Sequence, residues 1–197
     1  MKKLFLPLFL ALACSAYGQR GIKLISGSVA ELKGETTLNF EFAYDEVRVG
    51  KFADEKDYID KKKDEYNKKE PGRGDKWEQD WKSDRPKKLE PKFIEGYGDF
   101  GVTAKADSKY TLIFNTTFIE PGYNVYVSRK NASLNGIATL VLTSDKSKVI
   151  AKITADNIIN YGNAVWGYDF DTGARLEGVY KSAGSSIAKF VSKNAGK

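Results

Sequence analysis

Lys109 to Ile119, reading KYTLIFNTTFI, is the stretch that most limits how this chain can fold. In an extended strand Tyr110, Leu112, Phe114 and Phe118 fall on one face, and Ile113 and Ile119 on the other. A strand that is apolar on both faces belongs in the middle of a sheet, covered on both sides. The chain must therefore supply flanking strands and a covering layer. Leu38, Phe40 and Phe42 alternate with polar residues in ETTLNFEFAY, which reads as a half-buried strand. Tyr123, Val125 and Val127 alternate after the Pro121-Gly122 turn. Segments 136–143 and 149–155 read as two strands joined by the polar connection 144–148, and an edge strand is expected around 22–25.

The covering layer is legible at the C-terminus. Leu176, Val179, Tyr180, Ala183, Ile187, Phe190 and Val191 recur at helical spacing, with Asp171 or Thr172 as a possible cap. Residues 51–69 form a charged helix with a narrow seam of Phe52, Ile59 and Tyr66, stopped by Glu70-Pro71-Gly72. A second short helix is expected from about Asp75, and Pro86 and Pro91 are expected to break it. Pro91 can start a third, carrying Phe93, Ile94 and Tyr97. The expected fold is one α/β (α+β) domain over 19–197. It holds a mixed or antiparallel sheet of about four to six strands. The C-terminal amphipathic helix packs the sheet, and 52–97 is a charged helical insert.

The first residues carry an address rather than a fold. Lys2 and Lys3 precede the apolar run LFLPLFLALA, too short to span a bilayer but fitting the core of a secretory signal peptide. Ala16 and Gly18 suit a cut after Gly18, so 1–18 reads as a signal peptide and Gln19 as the mature start. Periplasmic or secreted location follows. Cys14 offers the alternative of an outer-membrane lipoprotein held by acyl chains. No later segment approaches spanning length.

Absent residue types narrow the chemistry further. The chain has no histidine, its single cysteine is Cys14 and its single methionine is Met1. A mature chain of this kind cannot form the usual zinc, copper or haem site, nor a Ser-His-Asp or Cys-His nucleophile. Phosphate-cradling glycine motifs are also missing. No metal or cofactor is expected. The 32 Lys and Arg and 26 Asp and Glu interleave, so the net charge of +6 gives no basic patch for nucleic acid.

Two aromatic groups are candidate ligand sites. Trp77 and Trp81 lie one helical turn apart and, with Tyr97, could form a platform for a sugar or peptide; equally, they could pack their helix onto the sheet. The segment 166–170, with Trp166, Tyr168 and Asp169 beside Asp171, could bind a ligand or plug the sheet end. Glu55, Asp57, Asp60 and Asp64 sit among lysines and read as a solvated salt-bridge lattice. Three functions stay open: a non-catalytic binding or interaction module, a glycan-binding protein using exposed aromatics, and a histidine-free carboxylate hydrolase.

The ending VWGYDFDTGARLEGVYKSAGSSIAKFVSK, after the strands YTLIFNTTFI, GIATLVLT and VIAKITA, resembles an uncharacterised family of secreted Bacteroidetes proteins, as do KFIEGYGDF and IEPGY. At lower resolution the layout is similar to periplasmic α/β domains of the LpoB and CsgG type. The resemblance implies an envelope-located, non-enzymatic module whose partner is an envelope protein or glycan. It supplies no site residues.

Overall fold

The computed structural model describes residues 21–125, 127–160 and 172–196. The expected signal peptide with Cys14, and Trp166, Tyr168, Asp169 and Asp171, lie outside the described residues. The strands are β1 (Gly21–Gly27), β2 (Thr37–Ala43), β3 (Arg48–Val49), β4 (Thr103–Ala104), β5 (Tyr110–Glu120), β6 (Tyr123–Val125), β7 (Ser128–Lys130), β8 (Ser133–Leu142) and β9 (Asp145–Ile159). The α-helices are α1 (Glu55–Asn67), α2 (Arg73–Asp84), α3 (Glu90–Gly98) and α4 (Thr172–Asn194).

Seven strands form one open mixed sheet in the order β1-β9-β8-β5-β2-β4, with β3 also paired to β5; β6 and β7 make a separate hairpin. β5 is central, as its double-sided apolar character requires. β2 and β3 run parallel to it along one edge, while β8 runs antiparallel along the other. Parallel neighbours need a crossover. The charged insert provides it: α1, α2 and α3 all lie between β3 and β5 in the chain.

One face of the sheet is packed by α3 and α4. Leu112 and Phe114 of β5 share it with Leu140, Ala138 and Leu134 of β8, all essentially fully buried. Phe93 of α3 meets Phe114 at 4.6 Å between ring centroids. Gly136 of β8 leaves room for that ring, because a Cβ there would fall 2.4 Å from Phe114 Cζ. A bulge between Thr116 and Phe118 reverses the alternation of β5. Ile119, not Phe118, therefore reaches the buried face, and Arg48 stacks over the Phe118 ring at 5.6 Å. The opposite face of β5 and β8 is half-buried at Ile113, Asn115, Ile137 and Thr139 but buried at Thr111 and Val141. The expected cover on both sides is thus partial on this face among the described residues.

The prolines do not break the insert. The chain stays helical from Arg73 to Gly98 through a π-helical turn at Arg85–Leu89, closed by the Glu90 N–H donating to the Arg85 carbonyl. The wider turn accommodates Pro86, whose ring would clash with the carbonyl four residues back in a regular α-helix. α2 also begins earlier than its expected cap at Asp75, with Gly72 preceding it in the left-handed conformation that glycine adopts freely.

α3 and α4 cross antiparallel and in near contact. A Cβ on Gly96 would fall 2.1 Å from the Lys181 carbonyl oxygen, and one on Gly184 would fall 2.0 Å from that of Phe93. Lys181 seals the crossing with a 2.6 Å ion pair to Glu95. Together with Lys92, it holds the Glu95 carboxyl well below the usual range, at about 2.

Candidate functional site

The site grows from the point where the helical hairpin α1–α2 meets the sheet. Asp54 caps α1 by accepting the Lys56 N–H at 2.6 Å. The cap aims the next residue, Glu55, at the end of α2. Its carboxylate accepts the Trp81 indole N–H at 2.8 Å and the Arg85 guanidinium. Arg85 stacks over the Tyr44 ring at 4.0 Å, and the Tyr44 hydroxyl donates to Glu90 at 3.2 Å. Burial pushes the hydroxyl of Tyr44 and the carboxyl of Glu90 upward, Tyr44 also feeling its neighbours Tyr180 and Glu90. Tyr180 on α4 is fully buried, and its hydroxyl is pushed up to about 12, chiefly by burial. This polar chain ties α1, α2, the π turn, β2 and α4 into one junction.

Beside the junction lies a cleft of about 400 Å³ between α2, the π turn and the start of α4. Its aromatic wall is Tyr66, Trp77 and Trp81. Trp77 stacks on Trp81 with centroids 5.6 Å apart and planes 25° apart. Tyr58 stands behind both indoles, and Tyr66 leans on Trp77 at 5.8 Å. Asp80, Asp84, Arg85 and Lys88 form the polar rim. Each has a partner within the protein: Lys76 with Asp80 at 2.9 Å, Lys88 with Asp84 at 3.0 Å, and Glu55 with Arg85.

The sequence candidates separate in space. Trp77 is half-buried and lines the cleft; Trp81 also lines it but is only 9% exposed, so it serves mainly as backing. The expected platform does not include Tyr97. That side chain is 1% exposed, in the core against Phe40 at 5.2 Å. Asp57, Asp60 and Asp64 stay on the charged face of α1, where Lys56 pairs with Asp60. Glu55, expected to share that lattice, instead holds Trp81 and Arg85. Asp80, Asp84, Arg85 and Lys88 are not among the sequence candidates. The spacing Trp77, Trp81, Asp84, Lys88 is one helical stripe, visible only if the helix is read through Pro86.

Asp80 and Asp84 lie one turn apart on the rim, so carboxylate hydrolysis can be weighed on geometry. Such chemistry needs one carboxyl kept protonated as a general acid. Asp80 is shifted the other way by its hydrogen bond from Lys76. Among the described residues the carboxyl raised by burial is Glu90, which faces Tyr44 and does not line the cleft. No group of metal-ligating side chains occurs among the described residues, and no described helix is long and apolar enough to cross a membrane.

No protein-family model matches the chain, and no curated protein matches it. Among solved structures it is similar to the PelC dodecamer from Paraburkholderia phytofirmans. Identity is 9% and the TM-score 0.40, over 84% of this chain and 97% of that one. At that level of likeness nothing about ligand or assembly transfers to this chain. The fold and the cleft together define the class: a single open mixed α/β sheet with helices on one face and a pre-built aromatic cleft over the end of its central strand.

Proposed function

We propose that the protein is an exported, non-catalytic binding module of the cell envelope and that it holds its ligand in the cleft between α2 and the start of α4. The observation that carries this reading is the fixed orientation of Trp77. Trp81, Tyr58 and Tyr66 pack around its ring, yet it remains part of the cleft wall. An aromatic face positioned in advance costs little ordering on binding. The volume falls within the range of small-ligand sites, about 300–1,000 Å³. Two other depressions, beside α1 and beside α4, each have a single aromatic side chain in their walls. The N-terminal sequence supports export, and the paired rim charges and the lowered Asp80 carboxyl support binding over catalysis.

The test compares immobilised wild-type protein with Trp77→Ala in repeated captures from an envelope extract, circular dichroism confirming that both are folded. The same component should be retained each time by the wild type and lost by the variant. Retention that is irreproducible, or equal in the two proteins, overturns the proposal.

A further inference from the structure

The chemistry of the cleft wall narrows what can occupy it, and we infer that the ligand is a neutral saccharide stacked on Trp77. This rests on the reading of the cleft as the binding site. The apolar base of the cleft is closed: Ile119 is 1% exposed, and Leu89 and Leu176 are each 3% exposed. A ligand therefore meets the aromatic wall and the polar rim. A flat apolar face bordered by hydrogen-bonding groups complements a pyranose ring, which has an apolar face of C–H groups and an edge of hydroxyls.

The charges around the cleft are already matched in pairs. A cation would seek the aromatic wall and the carboxylates, but Lys76 and Lys88 already hold Asp80 and Asp84. An anion would seek Arg85 and Lys88, but Glu55 and Asp84 already hold them. Either charged ligand would add an uncompensated charge to a rim whose charges are already matched, whereas a hydroxyl adds none. A carboxylate engaged by one lysine keeps lone pairs for a hydroxyl. The side chain of Asp80 is 56% exposed, so it can accept from a ligand hydroxyl without releasing Lys76. Arg85 and Asp84, with side chains 17% and 20% exposed, fix the rim.

The experiment measures quenching of tryptophan fluorescence and retention on an array of neutral, acidic and amino-bearing oligosaccharides, with a set of basic and acidic peptides as the contrast. Wild type, Trp77→Ala and Trp77→Tyr are compared. At least one neutral oligosaccharide should bind, Trp77→Ala should weaken it by about tenfold or more, and Trp77→Tyr should restore part of the loss. Affinity should be nearly constant from about 0.01 M to about 1 M salt, across which the Debye length falls from about 30 Å to about 3 Å. Binding of a charged sugar or peptide that is lost in Trp77→Ala and falls steeply with salt overturns the saccharide assignment while leaving the cleft as the site. Binding that is indifferent to Trp77, or absent across the whole set, overturns the assignment; the capture experiment above then decides separately on the cleft.

Discussion

The hydroxyl of Tyr180 lies 2.9 Å from Thr116 Oγ1, both side chains being buried. The hydroxyl of Tyr97, in the same core, has no hydrogen-bond partner among the described residues. Burial pushes both phenols up in pKa, but the cost of removing each oxygen differs in sign. Tyr180→Phe strands the Thr116 hydroxyl and should lower the unfolding free energy by about 1–3 kcal/mol. Tyr97→Phe removes a polar atom that desolvation penalises, keeps the ring against Phe40, and should raise it by about 1 kcal/mol. Urea unfolding of the two variants checks the pair; a loss at position 97 would show that its oxygen is satisfied in solution. The sequence offers no way to tell these tyrosines apart, since each sits on an apolar helical face. The indoles show the same limit. Their i,i+4 spacing announces a shared face, but their exposure depends on Tyr58 and Tyr66, brought from another helix.

Periodicity makes β2, β5 and α4 legible, because each alternates or recurs against a single buried face. It misses features set by partners. The bulge in β5 sends Ile119 inward and Phe118 outward, and only pairing with β8 reveals it. The β8–β9 hairpin is tighter than its polar residues suggest: β9 starts at Asp145, where exposed Lys146 and Lys148 extend the strand. Local rules fail most at Pro86, and that failure hides the rim of the cleft. The α3–α4 crossing yields a sharper test of element packing. Alanine in a helix is favoured over glycine by about 1 kcal/mol. At Gly96 and Gly184 the backbone contact overrides this, and alanine should destabilise by about 1–3 kcal/mol or more. Gly98, at the end of α3, has nothing within 4 Å of where a Cβ would stand, and should instead tolerate alanine or gain from it. Thermal unfolding that ranks Gly98→Ala with the other two would contradict the close crossing. The Glu95–Lys181 pair adds a pH signature. The folded carboxyl is lowered to about 2, so its contribution is fully present above the unfolded value of about 4.3. It is lost as pH falls through about 2. The stability difference between wild type and Glu95→Gln should therefore shrink across that window in urea titrations, and a constant difference would refute it.

For the whole molecule, the proposed N-terminal address and the sheet make a joint demand. β1 is an edge strand of the main sheet, and its antiparallel register with β9 begins at Gly21 paired to Asp156. A cut after Gly18 leaves this strand entire, whereas a cut even a few residues later would remove ladder partners from β9. Lipidation at Cys14 would also spare β1. It would place the acylated residue about seven positions before Gly21, so an extended tether would hold the domain within about 25 Å of the bilayer surface. The two outcomes differ in mass and in chemistry. Cleavage after Gly18 discards the lone cysteine, so the mature chain should start at Gln19 and take up no thiol reagent even when unfolded. Acylation keeps Cys14 as the first residue and should partition the protein into detergent. Intact mass of protein recovered from the envelope, with detergent partitioning alongside, decides between them. A start beyond Gly21 would break both, because the sheet would then have to close without the first residues of β1.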